Sequence, residues 1–181
     1  RRDAYEAGRS AATAALAGLQ GGSSSLIVAF CTGRHDAQAC FNGIRAVAGE
    51  TPIMGGSAIG VITSNELGHS GHQVGVAALP GDLEVKVAAE GKLDQGERAT
   101  GLGLGRKLAA SRSPEEKLAL LFYGSTRVPP PPAPVLNVSS YLLDGLEEGL
   151  EQAPPPIVGA GLIADYDFNM GHEFCGTAVG D

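Results

Sequence analysis

The sequence has no tryptophan and few other large rings, with five phenylalanines and four tyrosines. So few aromatics cannot build a base-stacking platform for single-stranded nucleic acid. No apolar run approaches the roughly 20 residues that cross a bilayer. No basic-apolar-cleavage pattern opens the chain, so neither a membrane span nor a signal peptide is expected. Cysteine is scarce as well. Cys31, Cys40 and Cys175 are an odd count without a CxxC, which fits reduced thiols and a cytoplasmic location better than a disulfide framework. Basic residues nearly vanish late in the chain: residues 113–181 hold two Lys/Arg against ten Asp/Glu, and residues 1–112 hold eleven against ten. The overall charge of −7 without a basic stripe argues against nucleic acid and anionic membrane as partners.

What is present fits an α/β domain of 181 residues, long enough for one substantial core or two intimately packed halves. The start at Arg1-Arg2 without methionine and the stop at Gly180-Asp181 beside an expected strand suggest a domain cut from a longer protein. Alanines at helical spacing predict a helix over Ala4 to Leu19. "SLIVAF" (25–30) reads as a buried strand. Asp36 can cap a helix whose apolar stripe is Ala37, Cys40, Phe41, Ile44 and Val47. "TPIM" and "AIGVIT" read as strand segments around Gly55 and Gly56. The alternation of Leu83, Val85 and Val87 with Glu84 and Lys86 predicts a wet-faced strand, paired as a hairpin with "HQVGVAAL". Further elements are a helix over Gln95 to Ala110, a strand over Leu118 to Gly124, a stiff loop at Pro129 to Pro132 and a helix around Ser139 to Leu150.

An internal echo runs through this pattern. Pro52, Ile53, Gly55 and Ile59 in "TPIMGGSAIG" match Pro156, Ile157, Gly159 and Ile163 in "PPIVGAGLIA" at one fixed spacing. "LIVAFCTG" likewise parallels "LALLFYG", and Gly71-His72 faces Gly171-His172. The expected fold class is therefore α/β, with mixed β-sheets flanked by helices. It is built from a duplicated β-α-β-β unit (about 23–112 and 117–181) with a pseudo-twofold relation.

These residues resemble a known family. "SLIVAF", "NGIRAV", "TPIMGGSAIG" and "GVAAL" look like the amino-terminal half of a FIST domain, and "LLDGLEEGL" with "PIVGAGLIAD" resembles that domain's repeat. The resemblance implies a non-enzymatic sensory module of bacterial signalling proteins that binds small ligands such as amino acids or related carboxylates. It implies as partners a carboxy-terminal FIST portion and a signalling output domain or kinase. Some relatives bind haem and sense nitric oxide, which makes a haem-dependent gas sensor the alternative.

Six residues are candidate ligand contacts. Thr32, Arg34 and His35 lie in "CTGRHD", between a strand end and a helix start, where α/β proteins commonly bind ligands. Arg34 can grip a carboxylate bidentately. Ser57 is the one side chain of "GGSAIG" able to give a directional hydrogen bond, while Gly55 and Gly56 serve either a bend or close backbone approach, or a ligand-lining turn. Tyr123 ends the parallel strand "LLFYG". Asp165, in "ADYDFN", suits a ligand amino group, with a solvated turn as the plainer role. No metal site is expected, because His69 and His72, in a glycine-rich turn, lack further ligands at recognisable spacing. A haem needs only one axial imidazole, which keeps His69 and His72 as its candidates. Cys31 with His35 is the remaining enzymatic arrangement, a cysteine-dependent hydrolase (a metal-dependent one is the other form), and it would need a third, orienting group. "GLGLG" (101–105) falls inside a helical pattern, where close helix packing explains it better than a nucleotide does.

Overall fold

A computed structural model describes the chain except for residues 1, 2, 64–66, 70, 114, 128–134, 152, 168, 170, 177 and 181. The polyproline loop lies outside the described residues. In chain order the elements are α1 (Ala4–Ala17), β1 (Ser24–Thr32), α2 (Ala37–Ala48), β2 (Ile53–Ala58), β3 (Gly60–Ile62), β4 (Leu67–His69), β5 (Val74–Pro80), α3 (Glu97–Ala109), β6 (Ala119–Gly124), α4 (Ser139–Leu150), β7 (Ile157–Leu162), β8 (Glu173–Gly176) and β9 (Ala178–Gly180). The fold is mixed α/β, as expected. The chain forms two compact units, residues 1–87 with 162–181, and residues 88–161. The echo's blocks divide the chain elsewhere, since residues 162–181 join the first unit.

The first unit is a five-stranded sheet in the order β5-β1-β2-β8-β9. β1 and β2 run parallel, while β5, β8 and β9 add antiparallel pairs. Parallel strands need a crossover, and α2 supplies it. Asp36 caps α2 by accepting the Ala39 N–H at 2.8 Å, and Ala37, Cys40, Phe41 and Ile44 are buried as the stripe predicts. On β1 the alternate residues Ile27, Ala29 and Cys31 join that stripe, Ile53 and Phe174 in one core. Each large apolar side chain so buried contributes about 1.5–3 kcal/mol. Alanine and glycine let α1 settle closely on α2: a Cβ at Gly8 would strike the Cys40 carbonyl, and one at Gly43 the Tyr5 carbonyl.

In the second unit, too, helices pack through glycine. α3 and α4 touch through Gly101 and Gly105 on one side and Gly145 and Gly149 on the other, each against facing backbone. That contact is the packing expected of "GLGLG". The Ala119 N–H donates to the Pro156 carbonyl at 3.0 Å, just as Ile27 donates to Pro52 at 2.9 Å. Gly159 abuts the Leu121 carbonyl as Gly55 abuts that of Ala29. The glycine and proline positions of the echo therefore occupy equivalent local settings. Glu97 opens α3 and its carboxylate accepts the Val138 N–H at 3.1 Å and Arg127 Nη2 at 3.2 Å.

Two expectations fail. Residues 83–90 are not a strand: β5 pairs with β1 instead, and downstream carbonyls are taken by side chains, Ala89 by Lys107 Nζ at 2.7 Å and Lys92 by the Thr100 hydroxyl at 3.2 Å. The alternation is present, but these residues do not form a strand. His69, expected in a turn, lies on β4 opposite Gly60 in a short hairpin with β3.

Gly43→Ala is expected to cost about 2 kcal/mol or more, since backbone rather than a pliable side chain must move. A lower urea midpoint at unchanged slope would register it. The Val138 hydrogen bond, helped by Arg127, holds the Glu97 carboxyl below the usual carboxylate range. The folded state thus binds that proton more weakly than the unfolded chain, so its contribution is complete above the ordinary carboxylate range and fades as pH falls toward the lowered value. Acid unfolding followed by circular dichroism should lose this component in Glu97→Gln, which cannot ionise.

Candidate functional site

The carboxy ends of β1 and β2 lie side by side, with Cys31 opposite Ser57 and Thr32 opposite Ala58. Parallel strands in α/β folds bind ligands at such an end. Four segments meet there: Thr32–Asp36, Ser57–Ala58, Gly71–Gln73 and the stretch from Ala164 to His172.

Thr32 is buried and fully engaged. Its N–H donates to the Gln73 carbonyl at 3.0 Å, its hydroxyl donates to the Gly71 carbonyl at 2.6 Å and accepts the Gln73 N–H at 3.3 Å. These bonds clamp the main chain on both sides of His72. Gly33 next donates its N–H to the Ala164 carbonyl at 3.1 Å, and a Cβ there would collide with Ala164. Arg34 is exposed, and it holds no ion pair among the described residues. The His35 N–H then closes a turn onto the Thr32 carbonyl at 3.0 Å. The His35 ring is packed away, 8% exposed, and neither ring nitrogen has a hydrogen-bond partner among the described residues. Its nearest ring is that of His72, edge-on at 5.3 Å between centroids and 84° between planes.

Ser57 is 1% exposed and faces the strand neighbour rather than open space. Its N–H donates to the His172 carbonyl at 2.9 Å and its hydroxyl accepts the His172 N–H at 3.0 Å. Gly55 and Gly56 lie within β2, at φ +127° and +145°, and a Cβ would strike the Ala29 and His172 carbonyls respectively. Close backbone approach is their role here. Asp165 organises its own loop: one carboxylate oxygen accepts the N–H groups of Asp167 and Asn169 at 3.0 and 3.2 Å, the other accepts Asn169 Nδ2 at 2.8 Å. The Asn169 side chain, ahead of the two backbone bonds, lowers its pKa.

Tyr123 belongs to the second unit, half-buried on β6. Cys31 is core, 1% exposed, and hydrogen-bonded to Cys40, whose thiol is pushed up by that bond and by burial. The crevice thus receives His35 without the thiol proposed beside it. Among the described residues no group of three or more His, Cys, Asp or Glu is placed to hold a metal. A cleft of about 310 Å³ opens beside the clamp, lined by Val61, Thr63, Leu67, Gly68, His72 and Gln73 among others.

The FIST N domain profile matches residues 25–180. The chain belongs to the FIST N domain family. FIST domains are sensory domains of signal-transduction proteins, so the crevice sits in a sensory fold. Neither a curated protein nor a solved structure matches the chain. Sequence reasoning brought Thr32, Arg34 and His35 to this strand end, and missed that His72 and Gln73 meet them. The one available signal was local: a threonine at a strand end, able to hold a distant loop through its hydroxyl.

Thr32→Val keeps the shape and removes the hydroxyl. It is expected to cost about 1–2 kcal/mol and to speed amide exchange at Gln73, read by hydrogen–deuterium exchange.

Proposed function

We propose that this domain senses a small ligand, an amino acid or related small carboxylate, bound at the carboxy end of the β1–β2 pair. The observation that carries this reading is Arg34, exposed without an ion pair among the described residues on the turn that closes a parallel strand pair. A guanidinium so placed offers a bidentate seat for a carboxylate. Across the strand end, Gln73 and the exposed His72 extend the polar surface, with His35 buried beneath. Thr32, Ser57 and Asp165 act through the backbone they fix, and Asp165 holds negative charge near the site for a ligand amino group. Tyr123 lies on β6 of the second unit and is no part of this site. No catalytic residue is proposed.

The ligand signal passes to an output domain or kinase, in keeping with the sensory role of the family, and the carboxy-terminal FIST portion belongs to the same proposal. Free thiols at all three cysteines support a reducing, cytoplasmic setting. No described helix is long and apolar enough to cross a membrane. Haem finds the poorer fit. The cleft stands at the small end of ligand pockets, and Thr63, His72 and Gln73 give it polar walls, whereas a haem face needs broad apolar cover.

Thermal-shift measurements against amino acids and short carboxylates should find ligands that raise the melting temperature in a concentration-dependent way. Arg34→Met should weaken the response about tenfold or more. Equal responses in both proteins would remove Arg34 from the site.

A further inference from the structure

A buried imidazole without hydrogen bonds is costly. Its neutral form has one N–H donor and one acceptor nitrogen, and each polar group left unpaired inside a protein costs about 1–3 kcal/mol. His35 is 8% exposed and both of its nitrogens lack partners among the described residues. Nothing about the fold requires this. Asp36 supplies the helix cap and the His35 backbone N–H makes the turn, so an apolar side chain at position 35 would satisfy the structure more cheaply.

The ring beside His35 is that of His72. His72 is exposed on one side, lines the cleft, and meets the His35 ring edge-on at 5.3 Å. The Thr32 bonds to Gly71 and Gln73 hold the main chain on each side of it. The backbone cannot swing, but the His72 side chain makes no hydrogen bond among the described residues and turns about two torsions. Rotation of His72 alone changes what the His35 ring meets on that side.

We infer that His35 and His72 together seat the carboxylate of the ligand, with His72 as the side-chain gate: in the free protein it covers His35, and in the complex each imidazole donates one N–H to the carboxylate. This rests on the reading of the crevice as a ligand site, and it adds the histidine pair to the carboxylate seat that Arg34 offers. Each neutral ring presents its N–H by choice of tautomer, so no proton need be taken up. The ligand supplies the acceptor that His35 lacks.

The test is histidine-selective nitrogen NMR of the chain, titrated with L-glutamate and with acetate against sodium chloride at equal ionic strength. The imidazole signals of His35 and His72 should move together and saturate, while those of His69 and His172 stay in place. His35→Leu should raise the melting temperature of the free protein by about 4 °C, because an unpaired polar group is removed, and should lose the saturable response of His72. His72→Ala should leave the fold intact and expose the His35 nitrogens, seen as faster modification by diethyl pyrocarbonate. A lower melting temperature in His35→Leu, or a His72 response that survives it, overturns the inference. Carboxylates that shift backbone amides near Arg34 while His35 stays silent also overturn it, leaving the broader ligand reading standing. Silence at every signal overturns both.

Discussion

Strand β2 is confined between two neighbours so closely that part of it has no room for side chains. A Cβ at Gly55 would meet the Ala29 carbonyl on one side, and one at Gly56 the His172 carbonyl on the other. Both residues take positive φ values that other residues rarely reach. Much of the site's geometry follows from this squeeze. With β1, β2 and β8 drawn together, Cys31 falls opposite Ser57, Ser57 reaches the main chain of His172 through both its N–H and its hydroxyl, and Thr32 emerges at the rim within reach of Gly71 and Gln73. The same device joins the helices: glycine removes the spacer and backbone rests on backbone, in α1 with α2 and again in α3 with α4.

A crevice made this way has a stiff floor. Its main chain is fixed by Thr32, Ser57, Gly33 and the Asp165 turn, and what is left to respond is a small set of side chains. Scaffolds that hold binding residues on rigid elements lose little entropy on binding. For a sensor this matters in a second way. The stretch from Ala164 to His172 accepts from Gly33 at one end and grips Ser57 at the other, so it reports on both parallel strands at once.

Local signals in the sequence carried the helices well. The cap at Asp36 and the stripe Ala37, Cys40, Phe41 and Ile44 are both encoded within one turn of each other, and both appear as expected. Strand alternation carried less. Leu83, Val85 and Val87 have the period of a strand, but a period does not say whether a free edge awaits it, and here β1 is the partner of β5. The paired glycines were legible as important and ambiguous in kind: only the positions of Ala29 and His172 decide between turn and squeeze. His35 was legible as a candidate, whereas its neighbour was not. His72 arrives through hydrogen bonds that Thr32 makes 39 and 41 residues downstream, and no spacing in the chain announces them.

The Ser57–His172 clasp spans 115 residues, and the whole second unit lies between its two ends. A growing chain therefore makes α1, β1, α2, β2 and β5 long before β8 exists to cover β2 and before Phe174 can fill the core. Until then β2 offers an open edge and the core lacks one of its largest side chains, the condition in which nascent chains associate wrongly. The second unit, contiguous in sequence, is free to fold first as it emerges. The crevice is then a late acquisition in the life of each molecule, complete only when the last strands of the first unit close against β2.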